Sequence, residues 1–85
     1  MNGPERVVVR LFGVAREAAG AAVVEVALPA GATAREAMTA LAAAHPELAG
    51  LLPRSRVAIN LEYVDAGARL EPGDEIAILP PVGGG

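Results

Sequence analysis

A single well-delimited helix in the middle of the chain sets the strongest limit on the fold. Thr33 and Glu36 have the spacing of a capping box, in which each side chain accepts a hydrogen bond from the backbone N–H of the other residue. The helix is predicted to run from Ala34 to about His45, because Pro46 disfavours helical geometry in the residue before it. Its inward side chains recur at three- and four-residue steps as one narrow stripe, which contains Ala34, Ala37, Met38, Leu41, Ala42 and His45. One helix of this kind covers one face of a sheet, so the remainder of the chain must supply that sheet.

The segment before the helix predicts an antiparallel hairpin. Residues 6–12 are rich in β-branched side chains and alternate between two faces, and residues 23–28 alternate again. Residues 13–19 suit one or two helical turns, with Gly20 as the C-terminal cap. The two strands should therefore pair, joined by a short helical insert.

The segment after the helix predicts the remaining strands. Residues 47–52 suit a short turn whose leucines close the end of the core, and residues 56–60 read as a third strand. A brief fourth strand is expected at residues 63–64. Residues 71–74, Glu-Pro-Gly-Asp, have proline and glycine where a type II turn requires them, and a last strand follows at residues 75–79.

This order of elements predicts an α+β fold of the β-grasp type found in ubiquitin. A mixed sheet of four to five strands is expected, with one main helix and short helical turns. Residues 1–79 should form the domain and residues 80–85 an extended, flexible C-terminal tail. Because one helix covers one face of the sheet, the other face should stay partly exposed or form an interface, with Phe12 and Leu79 as candidates.

Composition excludes several classes of function. Of the 85 residues, 53% are hydrophobic, but 19 are alanine, so the larger apolar side chains suffice for one small core. The formal net charge is −3, and the seven basic residues are all arginines scattered along the chain, which argues against a nucleic-acid partner. The longest run without an ionisable side chain is residues 76–85, well short of the roughly 20 residues of a membrane span. A cytoplasmic protein without membrane association is expected.

The reactive side chains are few. The chain has no cysteine and no lysine, so it offers no thiolate nucleophile and no side-chain amine. His45 is the single histidine, and its position beside Pro46 is typical of a helix end rather than of a ligand or base. No metal site and no nucleophilic triad is therefore expected within this chain.

The last seven residues are Leu79, Pro80, Pro81, Val82, Gly83, Gly84 and Gly85. The prolines hold φ near about −65° and lack an N–H, so the segment should leave the domain extended. The glycines add almost no width. Residues 80–85 would form a thin tether about 20 Å long that carries a carboxylate. Glycine-rich ends are also often frayed and without function, and composition alone leaves that alternative open.

The combined motifs resemble the small subunit of molybdopterin synthase, a MoaD-type member of the ubiquitin-like ThiS/MoaD superfamily. They are the runs at residues 11–20, 58–60 and 62–64, the Pro-Gly-Asp-Glu turn at residues 72–75, and the Leu-Pro-Pro-Val-Gly-Gly-Gly ending. A terminal glycine pair alone would be weak evidence. The Gly-Asp-Glu turn followed one strand later by Pro-Pro-Val-x-Gly-Gly is specific to this family.

The resemblance implies a sulfur carrier that is not an enzyme on its own. In the family, an adenylating enzyme related to ubiquitin-activating enzymes joins AMP to the last glycine with ATP and magnesium. A sulfurtransferase or cysteine desulfurase then supplies the sulfur of a thiocarboxylate. The tail enters the large subunit of the synthase, which holds the active site, and the sulfur passes to cyclic pyranopterin monophosphate to build the dithiolene. Two small and two large subunits form the usual heterotetramer, and the carrier itself binds no cofactor.

The resemblance also assigns roles to residues. Gly85 would carry the adenylate and then the thiocarboxylate, with Gly84 as its slender neighbour. The channel of the partner would receive Pro80, Pro81, Val82 and Gly83. The apolar contact with the partners would involve Phe12, Leu61 and Leu79, with polar anchoring by Arg16 and Glu17. The family often has an aromatic residue where Leu79 stands.

Three alternatives remain at this point. The sulfur carrier of thiamine thiazole synthesis shares the fold and the glycine end, but it is typically shorter and usually lacks Pro-Pro-Val. A ubiquitin-like protein modifier would join its last glycine to lysines of other proteins. A plain β-grasp binding module, from a different class, would keep its activity after deletion of Gly84 and Gly85.

Overall fold

The chain folds into a five-stranded mixed sheet in the strand order β2-β1-β5-β3-β4. The structure is a computed structural model, and it describes residues 5–81. The elements in chain order are β1 (Glu5–Leu11), α1 (Gly13–Ala19), β2 (Val23–Leu28), α2 (Ala34–Ala44), two 3-10 turns (Pro46–Leu48 and Leu52–Arg54), β3 (Arg56–Ile59), β4 (Glu62–Tyr63) and β5 (Glu75–Leu79). This arrangement confirms the predicted β-grasp fold.

The pairing of the strands places β5 at the centre of the sheet. β1 and β2 pair antiparallel, as the sequence predicted, and β5 lies parallel to β1 and antiparallel to β3. The parallel pair requires a long crossover, which α2 and the segments around it provide. β5 therefore has hydrogen-bonded neighbours on both edges, and the chain reaches its C-terminal segment from the middle of the sheet.

The helix α2 begins where the capping box predicts. The Thr33 hydroxyl accepts from the Glu36 N–H at 3.2 Å, and the Glu36 carboxylate accepts from the Thr33 N–H at 2.8 Å. The next two N–H groups, of Ala34 and Arg35, donate to carbonyls of the loop before β5, Ala68 and Ala66, at 2.8 and 2.9 Å. The first turn of the helix is thus hydrogen-bonded both to its own cap and to that loop.

The core lies between α2 and the face of the sheet that it covers, called here the inner face. Register places Val9 and Leu11 of β1 opposite Ile76 and Ile78 of β5 on this face. The largest side chains with almost no exposed surface are Val9, Leu11, Leu41, Leu48, Ile76 and Ile78. Ala15 of α1 and Leu52 of the second 3-10 turn belong to the same cluster. One continuous core therefore joins both helices to the sheet.

Several boundaries differ from the prediction, by one residue each. β1 begins at Glu5 rather than at residue 6, and β3 ends at Ile59 rather than at residue 60. β1 ends at Leu11, because the Phe12 carbonyl accepts from the N–H groups of Ala15 and Arg16 and so begins α1. α2 ends at Ala44, and His45 is its C-terminal cap, which confirms the expected helix-end position of that histidine. The predicted fourth strand at residues 63–64 is wrong by one residue. Ile59 pairs with Glu62 across a two-residue turn, and the strand is therefore Glu62–Tyr63.

The type II turn at residues 71–74 is confirmed. Gly73 has a φ of 88°, and the Asp74 N–H donates to the Glu71 carbonyl at 3.0 Å. The short turn predicted at residues 47–52 is observed as the two 3-10 turns, in which Leu48 and Leu52 are buried. Over residues 5–81, no helix combines the length and the apolar character needed to cross a membrane.

Leu41 is the strongest single test of this core. It is 1% exposed on α2, so Leu41→Ala should lower the free energy of unfolding by about 2 to 5 kcal/mol, through lost apolar contacts and the cavity left behind. Thr39→Ala on the exposed side of the same helix is the matched control and should change stability by less than about 0.5 kcal/mol. Urea unfolding of both variants measures the difference. Equal losses would mean that α2 does not bury the stripe containing Leu41.

Candidate functional site

The C-terminal segment leaves the sheet from the end of its central strand. Leu79, the last residue of β5, pairs with Arg56, the first residue of β3. Pro80 then lies against the start of α1, because a Cβ added at Gly13 would be 3.6 Å from the proline Cγ. Pro81 is exposed. The chain therefore departs between the beginnings of β3 and α1, and the predicted site residues Val82, Gly83, Gly84 and Gly85 lie outside the described residues.

Phe12 adjoins this exit. Leu11 of β1 pairs with Ile78 of β5 in parallel register. The residue that follows each of them, Phe12 and Leu79 respectively, therefore lies beside the other on the face of the sheet opposite the core. Phe12 is 44% exposed and Leu79 is half-buried. Because a large exposed aromatic side chain gains little from water, its position favours a contact surface at the base of the tail.

The face opposite the helices, called here the outer face, has a shallow apolar floor. Ala58 pairs with Ala77 of β5 on one side and with Tyr63 of β4 on the other. Ala58 is buried although no helix covers this face, and Tyr63 is exposed. The Arg56 guanidinium lies 4.1 Å from the centre of the Tyr63 ring, which holds this arginine over the floor by a cation–π contact.

Sequence reasoning missed Arg56 and Tyr63 as members of this face. The alternation of side chains along β3 and β4 could have assigned Arg56 and Tyr63 to a solvent-facing side of the sheet. Only the pairing of β3 with both β4 and β5, however, sets them next to each other and beside Leu79. The two residues extend the apolar surface from the tail exit toward the edge of the sheet.

Leu61 lies at the far end of the same sheet. It occupies the turn between β3 and β4, and the residue before that turn, Ile59, pairs with Ile76 at the beginning of β5. The length of β5 separates this end from Leu79, roughly 13 Å at about 3.3 Å per residue. The structure therefore brings Phe12 and Leu79 together, whereas Leu61, which is 91% exposed, forms a separate contact point.

Arg16 and Glu17 are exposed on α1. The helix begins at Gly13, the residue against which Pro80 packs, so both charged side chains lie on the element nearest the tail exit. Neither makes an ion pair within residues 5–81. Their assignment as polar anchors for a partner stays a prediction.

The charged side chains of the outer face are paired across strands. Arg10 of β1 contacts Glu75 of β5 at 2.9 Å, and Arg6 contacts Glu25 of β2 at 3.5 Å. These pairs are half-exposed and contribute little to stability, but they leave the centre of the outer face to alanine side chains. The His45 imidazole is 3.4 Å from the Glu47 carboxylate at the end of α2.

The described part of the chain offers no reactive centre. Among residues 5–81, no polar or charged residue is buried, and no group of three or more acidic or histidine side chains could hold a metal ion. An open groove between α2 and β3 has Met38, Leu52 and Val57 in its lining and Arg35 and Arg56 beside them. Polar and apolar side chains both line this groove, and it lacks a nucleophile paired with a base.

Comparison with known proteins agrees with this arrangement. The model of the ThiS family matches residues 9–85. The molybdopterin synthase sulfur carrier subunit of Chlamydomonas reinhardtii is 37% identical over 76 residues, which cover 87% of this chain and 92% of that protein. The small archaeal modifier protein 1 of Haloferax volcanii is 36% identical over 84 residues, with 89% and 97% of the two chains covered.

Solved structures extend the similarity to the fold. A crystal structure of the Haloferax volcanii modifier superposes with a TM-score of 0.85 at 32% identity, and covers 95% of this chain and all of that chain. A complex of subunits 1 and 2 of molybdopterin-converting factor from Helicobacter pylori contains a chain with a TM-score of 0.64 at 27% identity, with 95% and 100% covered. The family match reaches from β1 to Gly85, and the structural match covers nearly the whole domain. The chain therefore belongs to the ThiS family, within the ubiquitin-like ThiS/MoaD superfamily that its sequence resembles.

Proposed function

We propose that this protein is the sulfur carrier subunit of molybdopterin synthase and that its sulfur is carried on Gly85. The observation that carries the proposal is the exit of Pro80 and Pro81 from the central strand beside the exposed Phe12. A domain built in this way can hold a partner with its outer face while the tail reaches into that partner. The relatives named as molybdopterin synthase sulfur carrier subunits support the same role.

The proposed reaction begins at the carboxylate of Gly85. A carboxylate is a poor electrophile, so one of its oxygens attacks the α-phosphorus of ATP on the activating enzyme, and pyrophosphate leaves. A persulfide on a sulfurtransferase or cysteine desulfurase then attacks the carbonyl carbon, and AMP departs with the electron pair of the broken C–O bond. A thiol reductant cleaves the S–S bond of the resulting acyl disulfide and is itself oxidised to a disulfide, which leaves the thiocarboxylate on Gly85. ATP and magnesium belong to the activating enzyme in this scheme, and this chain binds no cofactor.

The second half of the reaction takes place on the large subunit. The tail, from Pro80 to Gly85, enters the channel of that subunit, and the thiocarboxylate sulfur attacks cyclic pyranopterin monophosphate to begin the dithiolene. The small width of Gly83 and Gly84 suits a narrow channel. Phe12 and Leu79 would contact the partner at the channel entrance, and two copies of each subunit would form a heterotetramer. The Helicobacter pylori complex of subunits 1 and 2 supports this pairing.

A mass measurement tests the carrier function. Incubation with ATP, the cognate activating enzyme and a sulfur donor should change the intact mass by one oxygen-to-sulfur exchange on the peptide that contains Gly85. Omission of ATP is the control, because no leaving group forms without it. An unchanged mass with an activating enzyme that charges its own known carrier would overturn the carrier function.

A substitution at the tail should separate charging from folding. Gly85→Trp should abolish the mass change, because the bulky residue does not fit the active site of the activating enzyme, while the unfolding free energy stays within about 0.5 kcal/mol of the wild type. Leu41→Ala is the converse variant, which should lose stability but still accept sulfur when folded. If Gly85→Trp were charged normally, the activating enzyme would not require a narrow residue at position 85.

A reconstituted assay distinguishes the pathways. The charged protein should convert cyclic pyranopterin monophosphate to molybdopterin only when the large subunit is present, since that subunit supplies the active site. Phe12→Ser should slow the conversion by weakening the contact at the channel entrance. Failure in this assay together with sulfur transfer in a thiazole-forming assay would assign the carrier to thiamine synthesis.

A second candidate function is protein modification, which the similarity to small archaeal modifier protein 1 favours. In that case the activated Gly85 carbonyl would be attacked by a lysine amine of another protein, with loss of AMP and formation of an amide. Peptide sequencing of tryptic digests of cellular proteins would show residues 70–85 joined through Gly85 to lysine side chains, because Arg69 is the last basic residue of the chain. The absence of lysine in this chain means that it would not form chains through its own side chains.

A further inference from the structure

The turn that presents Leu61 has an uncommon backbone geometry. Asn60 and Leu61 are the two central residues between β3 and β4, and both have positive φ angles, of 50° and 71°. A two-residue hairpin turn with two positive φ angles is type I′, in which Asn-Gly is the favoured pair. Asparagine is suited to its position here, but leucine has a Cβ that makes the left-handed region unfavourable.

Burial does not offset this unfavourable geometry. The Leu61 side chain is 91% exposed, the largest exposure among the large apolar side chains of the described residues. A glycine at this position would relieve the backbone, and a polar residue would be better solvated. A leucine gains free energy here only when another molecule covers it.

Hydrogen bonds hold the turn in place from the neighbouring loop. Two hydrogen bonds join Asn60 and Glu75. The Asn60 backbone N–H donates to the Glu75 carbonyl at 2.9 Å, and the Glu75 backbone N–H donates to Asn60 Oδ1 at 3.0 Å. Asn60 Nδ2 donates to Asp74 Oδ1 at 2.8 Å, and Asp74 Oδ2 accepts from the Glu71 N–H at 2.8 Å. The turn containing Leu61 is thus fixed to the type II turn before β5.

The surroundings of Leu61 are acidic. Glu62 follows it directly, and Glu71 and Asp74 lie in the turn to which Asn60 is bonded. Within residues 5–81, none of these three carboxylates is in an ion pair, whereas the neighbouring Glu75 contacts Arg10. An apolar contact surrounded by carboxylates is complementary to an apolar pocket with basic side chains at its rim.

We propose that Asn60 and Asp74 are positioning residues that preset Leu61 as an anchor for such a pocket on the large subunit. The proposal rests on the proposed function, because it takes the large subunit as the partner. A preset anchor spares the complex the cost of ordering an exposed loop on binding. It also explains why the anchor stands apart from Phe12 and Leu79: contact at both ends of the sheet fixes the orientation of the domain, so the tail points into the channel.

The side chain and the backbone of Leu61 can be tested separately. Leu61→Ala keeps the Cβ and the unfavourable backbone but removes the anchor, and Leu61→Gly removes both. Titration calorimetry with the large subunit should show an affinity at least about tenfold weaker for both variants, as for a central interface residue. Thermal unfolding should show Leu61→Gly at least as stable as the wild type. Wild-type affinity in Leu61→Ala would overturn the anchor.

A double-mutant cycle tests the positioning role. Asn60→Asp sets two carboxylates face to face, removes the bond to Asp74 and should weaken binding about threefold or more. In the Leu61→Ala background, the same change should alter affinity by less than about twofold, because the residue to be positioned is gone. An equal effect in both backgrounds would overturn the proposal, since Asn60 would then act through a direct contact or through overall stability.

A reciprocal exchange provides the rescue. In the double variant Asn60→Asp with Asp74→Asn, the new amide at position 74 can donate to the new carboxylate at position 60. The Glu71 N–H can still donate to the side-chain oxygen at position 74, and the Glu75 N–H can still donate to a side-chain oxygen at position 60. Affinity for the large subunit should return to within about twofold of the wild type. Failure of the rescue, in a variant that unfolds at the wild-type temperature, would also overturn the proposal.

The outcomes separate this inference from the function on which it rests. If the wild type accepts sulfur and binds the large subunit but the Leu61 and Asn60 variants bind equally well, only the positioning role fails. If the wild type neither binds the large subunit nor accepts sulfur, the proposed function fails and this inference fails with it. Weaker binding at raised salt in the wild type would support the basic rim of the pocket, and salt-independent binding would contradict it.

Discussion

The pairing of β5 with β1 on one edge and β3 on the other is the interaction on which the rest of the structure depends. It sets Ile76 and Ile78 against Val9 and Leu11 in the core, so the last strand contributes some of the most buried side chains of the chain. The same pairing fixes where β5 ends. Because β5 lies between β1 and β3, the segment that follows it leaves from the middle of the sheet rather than from an edge strand.

This position gives the two faces of the sheet different tasks. The inner face is covered by α2 and holds the core, so substitutions of its residues lower the stability of the domain. The outer face has no covering helix, and its centre is lined by Ala58 and Ala77, between the exposed side chains of Phe12 and Tyr63. Its exposed residues can therefore serve a partner at little cost to folding. The proposed carrier role would require this separation, because a carrier must be recognised by more than one enzyme while remaining folded.

Much of the fold could be predicted from local chemistry. The capping box of Thr33 and Glu36, the cap at Gly20 and the turn at Gly73 each depend on residues within a few positions of one another, and all three are observed. The error at the fourth strand occurred where pairing partners decide the outcome. Whether Glu62 or Tyr63 begins the fourth strand depends on the turn at Asn60 and Leu61, whose geometry is held by bonds to Asp74 and Glu75, distant in the sequence.

By itself, the sequence determined the class of fold, the helix with its limits, the lack of cysteine and lysine, and the specific C-terminal motif, because each is encoded in residue types and short spacings. Only the tertiary structure decided that Phe12 and Leu79 adjoin the tail while Leu61 lies at the other end of the sheet. It also brought Arg56 over Tyr63 and Asn60 against Asp74. These relations depend on strand order and register, which join residues across long separations and cannot be obtained from local patterns alone.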